Sequence, residues 1–206
     1  MNNSNKVAWF VFGFLAVAVG LYPLVYAFSE GDVALKMSKS PAILASLPWR
    51  IGFYTHIFFG GLALMIGWVQ LSRRFRNANL KRHRLIGRTY VVAALLSGLG
   101  GAYLAFFATG GLPASLGFLG LAVVWLYFTM GAYAAIKNRD LARHQAYMVY
   151  SYAACFAAVT LRVWLPLLTL GLGAHLLAYQ IAAWLCWVPN MVFAFFWVRR
   201  KGMVIG

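Results

Sequence analysis

The chain has 206 residues, 63% of them hydrophobic and only 10% charged, with a formal net charge of +15. A soluble domain carries about a quarter charged residues, so this composition excludes a water-soluble globule and points to an integral membrane protein. Nor does the charge point to nucleic acid: the cations sit at the ends of apolar runs and recur at alternate ends, which is membrane topology rather than a phosphate-binding face.

Six apolar runs approach or exceed the roughly 20 residues that cross a bilayer as a helix. In chain order they are Val7–Phe28, Ile51–Ser72, Leu85–Ala108, Ser115–Ile136, Gln145–Leu170 and Ala174–Val198. The expected fold is all-α: one polytopic domain of six transmembrane helices. Val25-Tyr26-Ala27 resembles a signal cleavage site, but the preceding apolar run is longer than a usual signal core, so the first helix is expected to be retained.

The connection after the second run carries Arg73, Arg74, Arg76, Lys81, Arg82, Arg84 and Arg88 with no acid. The one after the fourth carries Lys137, Arg139 and Arg143 against Asp140, and the tail ends in Arg199, Arg200 and Lys201. With six spans all three groups share one side. The positive-inside rule makes that side the cytoplasm, with both termini on it. The opposite side holds Ser29–Arg50, with Glu30 and Asp32, and two short glycine-rich connections. Cys155 and Cys186 fall near the middle of spans and are expected as small buried apolar residues rather than a disulfide.

The four histidines lie near helix starts, His56 and His175 on the outer side and His83 and His144 on the inner side. At about 100° per residue, His56 shares a face with Gly60, Ala63, Gly67 and, less closely, Gln70. His83 aligns with Gly87, Tyr90, Ala94, Ser97 and Gly101. His144 aligns with Met148, Ser151, Cys155, Ala158 and Arg162, and His175 with Tyr179, Ala182 and Cys186. The first and fourth runs have no histidine-led face, so the core is expected to comprise spans two, three, five and six. Faces of glycine, alanine and serine are also what plain helix packing requires. The competing account rests on His-x-x-x-Gly at His56/Gly60 and His83/Gly87, because a porphyrin ligated by histidine needs space one turn along.

Arg162 falls within a span, where a guanidinium is costly and needs a partner. None of the three acids lies inside a span. Glu30 or Asp32, backbone carbonyls, a lipid phosphate or a haem propionate could serve, as could snorkelling to the headgroups. The same lack of acids disfavours carboxylate-based transport. The chain contains no G-x-S-x-G, H-E-x-x-H, C-x-x-C or phosphate-binding loop.

At "KRHRLIGRTYVV", "RHQAYMVYSYAACFAAVTLRVWLPL" and "YQIAAWLCWVPN" the chain resembles a bacterial family of predicted membrane proteins, domain of unknown function 2306, from about His56 to Asn190. The resemblance marks His56, His83, Arg84, Gly87, His144, Arg162, Trp187 and Asn190 and implies a bacterial inner membrane. It departs at Gln145 and Tyr150, where relatives often carry arginine, and at Phe195, where an acid is common. The arrangement of histidines, though no sequence motif, is similar to two-haem membrane cytochromes of the b561 type.

The first expected function is transmembrane electron transfer through two bis-histidine haem b sites. His56 and His175 would hold the outer haem near Arg162, and His83 and His144 the inner one near Arg82, Arg84, Arg88 or Arg143. Quinone or a partner reductase would exchange electrons at either face. One physical objection is that side chains lean toward helix N-termini, which aims all four rings toward water. His83 and His144 are equally accounted for as interfacial residues beside lipid-binding arginines. The alternatives are a non-catalytic accessory or scaffold subunit of a larger membrane complex, anchored by its aromatic residues, and a small-molecule or lipid carrier.

Overall fold

The structure, a computed structural model, describes residues 3–28 and 38–203. Glu30 and Asp32 lie outside the described residues. The described chain is helical: α1 (Asn3–Leu21), α2 (Pro23–Phe28), α3 (Pro41–Ala45), α4 (Leu47–Gln70), α5 (Arg73–Ala78), α6 (Leu80–Ala105), α7 (Gly111–Lys137), α8 (Leu141–Cys155), α9 (Ala157–Leu172), α10 (His175–Leu185) and α11 (Val188–Arg200). Six stretches are long and apolar enough to cross a membrane: Lys6–Tyr26, Leu47–Gln70, Leu80–Ala105, Gly111–Lys137, Leu141–Leu172 and His175–Arg200.

The second to fifth spans begin four or five residues earlier than hydropathy alone suggests, and at two of them a side-chain cap lies further out than the apolar run. The Asn79 side chain accepts from Arg82 N at 2.9 Å and opens α6. Asp140 accepts from Arg143 N at 3.0 Å and opens α8. Ser46 precedes α4, with Pro48 in its first turn, where a missing N–H costs nothing. His56 therefore does not open its helix as expected; it sits more than two turns inside α4. His83 and His144 are the fourth residues of α6 and α8.

The core is a four-helix arrangement of α4, α6, α7 and α8, in which α6 and α8 lie diagonally opposite. α4 and α6 approach closely because glycines line their seam. A methyl group on Gly100 would come within 2.9 Å of Gly52 O, and one on Gly60 within 2.8 Å of Ser97 Oγ. Across the diagonal, Tyr90 Oη and Ser151 Oγ are 2.8 Å apart, Ser151 Oγ meets Thr129 Oγ1 at 2.7 Å, and Trp125 Nε1 donates to Tyr90 Oη at 3.4 Å. Tyr152 Oη donates to Leu64 O at 2.9 Å. One buried polar layer thus ties all four helices together at mid-depth.

The fourth span is not peripheral, which corrects the expected core of spans two, three, five and six. α7 packs on α6, α8 and α10, and its Trp125 and Ala132 belong to the main buried cluster. It was overlooked because its inward stripe, including Ala122, Trp125, Thr129 and Ala132, contains no histidine. The sixth span packs along the outside of α7, α8 and α9, with Ala194 and Val198 joining Ala146 and Tyr150 in a smaller cluster. The first span lies against α4 and α9, where Phe12 stacks on Phe156 with centroids 4.8 Å apart. Its far side, including Val7, Phe10 and Phe14, is exposed, as a lipid-facing surface should be.

The fifth and sixth spans are each broken at mid-depth, after Cys155 and after Leu185. Pro189 removes one helical donor from the sixth, and the two breaks satisfy one another. Asn190 Nδ2 lies 2.9 Å from Cys186 O, 3.1 Å from Thr160 Oγ1 and 3.2 Å from Ala153 O. The Thr160 hydroxyl donates to Cys186 O. Backbone groups freed inside a membrane need such partners. Both cysteines are buried and free.

α9 ends on Gly173, whose φ of 63° is left-handed and whose N–H bonds Thr169 O at 3.0 Å. No atom would touch an added methyl group there, so Gly173→Ala isolates the backbone cost. It is expected to lose about 1 kcal/mol, or about 2–4 °C in thermal unfolding in detergent. Gly173→Asn should lose less.

Candidate functional site

The basic end of the bundle gathers side chains from α4, α6 and α8 and a backbone carbonyl from α7. Both α6 and α8 run away from this end. His83 precedes Tyr90 by seven residues and His144 precedes Ser151 by seven, two helical turns in each case. Because Tyr90 and Ser151 touch on the bundle axis, both histidines are directed toward that axis about 10 Å nearer the basic end. They lie close enough for their charges to interact, and Arg76 of α5 acts on both. Arg84 is also within range of His83.

His144 Nδ1 is 2.8 Å from Ala132 O on α7. A ring nitrogen facing a carbonyl carries the proton, which leaves Nε2 with its lone pair, the form that ligates a metal or accepts a proton. His83 Nδ1 is buried and has no hydrogen-bond partner among the described residues. From α4, Gln70 is only 8% exposed, yet neither Oε1 nor Nε2 has a partner. Each such orphan costs about 1–3 kcal/mol relative to a satisfied group. A buried amide and a buried imidazole nitrogen left open together are the mark of a site whose occupant supplies the missing bonds.

The glycines distinguish the two His-x-x-x-Gly segments. Gly60 beside His56 is shut by Ser97, whereas a methyl on Gly87 would meet only Gln70 Oε1, at 3.6 Å. Space therefore remains beside His83 and not beside His56. His56 is held to α6: its Nδ1 is 2.9 Å from Ser97 O, and Ser97 Oγ donates to His56 O at 2.8 Å. Gly101 is present because a methyl there would lie 2.9 Å from His56 Nδ1.

The expected outer pair does not form. His175 is exposed at the start of α10, 3.3 Å from Thr169 Oγ1, with its ring 6.4 Å from that of Tyr179. α10 packs against α9 and α7 rather than α4, which keeps His175 away from His56. Arg162 does lie within charge range of His56. Its Nη1 donates to Ala158 O at 2.8 Å, and its guanidinium lies 4.7 Å from the centre of the Tyr22 ring. At the same end, the Lys39 ammonium donates to Thr109 Oγ1 at 2.9 Å and to Phe107 O; partial burial lowers its pKa.

No group of three or more His, Cys, Asp or Glu side chains converges among the described residues. Of the residues marked in the sequence, His83, His144, Gly87 and Arg84 meet at the basic end, while His56, Gly60, Arg162 and His175 lie toward the other. Gln70 and Arg76 were not among the expected site residues. The signal for Gln70 was its amide within an apolar run, expensive unless used. Nothing in the spacing marked Arg76, which reaches the site because α5 folds back against α6.

No curated protein matches the chain, and no solved structure does. One family profile matches residues 53–198, most of the chain, and that stretch contains all four histidines. The chain belongs to the family called domain of unknown function 2306, described as a predicted membrane protein.

Proposed function

We propose that this integral membrane protein is an electron carrier holding a single haem b between His83 and His144, rather than one haem at each face. What supports this reading is that His83 and His144, on diagonal helices, each stand two turns from the Tyr90–Ser151 contact and lie within charge range of one another. Each ring has a nitrogen to offer: Nε2 of His144, whose Nδ1 is engaged by Ala132 O, and the open Nδ1 of His83. At His56 the residues do not fit a porphyrin, because Ser97 and Gly101 are packed against the ring and Gly100 against its backbone and Cβ.

Electrostatics favours haem over a bare metal ion. Arg76 and Arg84 act on the site, and no acid lies between Arg73 and Arg88. A divalent cation held by neutral ligands would face that field with only Asp140 to offset it. A group bearing its own carboxylates is attracted by it, and arginine binds carboxylate in bidentate fashion. When bound, haem would supply one-electron transfer at iron. The protein's part is to fix the His144 tautomer through Ala132 O, to neutralise propionates with Arg76 and Arg84, and to close the axis with Tyr90, Tyr152 and Trp125. We read the basic end as cytoplasmic in a bacterial inner membrane, with quinone or a membrane reductase as the exchange partner.

The test is the absorption spectrum of protein purified from haem-replete cells, oxidised and dithionite-reduced. A reduced α-band is expected in the wild type, in His56→Ala and in His175→Ala, and is expected to vanish in His83→Ala and His144→Ala. A folded, colourless wild-type preparation overturns the proposal.

A further inference from the structure

We propose that the seam between α4 and α6 at the basic end binds a lipid-soluble quinone, with the Gln70 amide donating to a ring carbonyl and the isoprenoid tail lying along the lipid-facing groove. This goes beyond the haem reading and does not require it.

The head of the site is defined by what is missing. Gln70, the last residue of its span, is more than nine-tenths buried, with its donor and acceptor atoms both unpartnered. Across the seam stands Gly87, beside which only Gln70 Oε1 approaches. Further along the same seam the glycines are closed, with an added methyl 2.8 Å from Ser97 Oγ at Gly60 and 2.9 Å from Gly52 O at Gly100. The opening is therefore local to Gln70 and Gly87 rather than a general looseness of the two helices.

The tail of the site is a cavity of about 310 Å³ lined by Phe59, Leu62, Val92 and Ala93, with Arg88 and Thr89 at one end. The helices are antiparallel, and Gly60 meets Ser97 while Gln70 meets Gly87. The groove lies on the stretch of seam between those two levels, and Arg88, at one end of it, is the chain neighbour of Gly87. A neutral amide with free N–H groups at one end of an apolar groove matches an uncharged carbonyl head on a hydrocarbon tail. A phospholipid headgroup would be drawn instead to the exposed arginines of the rim, and water would satisfy Gln70 without filling the groove.

The experiment is titration of the purified full-length protein in detergent with decylubiquinone, read by calorimetry, for the wild type, Gln70→Leu and Gly87→Val. Saturable binding is expected in the wild type. It should weaken by about tenfold or more, on the order of 1.4 kcal/mol, in both Gln70→Leu and Gly87→Val. Thermal unfolding of Gln70→Leu should stay at or above that of the wild type, since an orphan amide has been replaced by an apolar group. Non-saturable uptake in the wild type, or equal affinity in Gln70→Leu, overturns the proposal, with water as the occupant of the gap. The absorption spectra of the same preparations report separately on the haem. Quinone binding by a colourless protein would sink only the haem reading, and a haem band with no quinone binding would sink only this one.

Discussion

Gly67→Leu is expected to destroy the folded core. A methyl group on Gly67 would already lie 2.5 Å from two ring carbons of Tyr152 and 2.8 Å from one of Tyr90. Both rings are buried, at 2% and 0% exposure, so neither can swing out. Their hydroxyls also hold them in place, Tyr152 on Leu64 O at 2.9 Å and Tyr90 on Ser151 Oγ at 2.8 Å. Moving either ring trades the clash for a lost buried hydrogen bond. Overpacking costs about 1–3 kcal/mol and each orphaned hydroxyl about 1–3 more, so a loss of about 4 kcal/mol is expected. In practice little monodisperse protein should survive extraction. Gly171→Leu is the control: nothing lies within 4 Å of an added methyl group on this exposed glycine, and the change should stay within about 0.5 kcal/mol. A Gly67→Leu protein that melts with the wild type would mean that α4 is not clamped against the two tyrosines.

The fold was legible wherever a one-dimensional pattern determines it. Six apolar runs became six spans, and the faces led by His83 and His144 are the faces that turn inward, with Tyr90, Ala94, Ser97, Ser151 and Cys155 buried along them. What periodicity cannot supply is which inward face meets which. His175 leads a proper face, yet α10 lies against α7 and α9, so the ring never approaches His56. Arg162 was expected to continue the His144 stripe five turns on, but the helix restarts after Phe156 and the guanidinium leaves the axis for Tyr22. No breaker residue marks Phe156. The break after Leu185 had Pro189 to announce it. The fourth span shows the same limit from the other side: its stripe of alanine, threonine and tryptophan reads as filler until Thr129 is found bonded to Ser151.

Ser151→Ala should give the second large effect, because one hydroxyl there serves two others. Ser151 is fully buried, with Tyr90 Oη on one side at 2.8 Å and Thr129 Oγ1 on the other at 2.7 Å. The indole N–H of Trp125 can only donate, so it takes a lone pair of Tyr90 and leaves the phenol proton free for Ser151. Deleting the serine oxygen strands that proton and the threonine hydroxyl together, in a region the bilayer keeps from bulk water. Hydrogen bonds between membrane helices average about 0.6 kcal/mol and reach about 1.7, so losing two is expected to cost about 2 kcal/mol in detergent unfolding. Tyr90→Phe should cost about 1 kcal/mol, since Ser151 keeps Thr129. The double variant should then cost less than the sum of the two, by about 1 kcal/mol, because the Tyr90–Ser151 bond is lost only once. Strict additivity would indicate that each hydroxyl finds water when its partner is removed. The axis would then be wet at mid-depth, and Tyr90 and Ser151 could not be the floor that keeps the imidazole site open to one end alone.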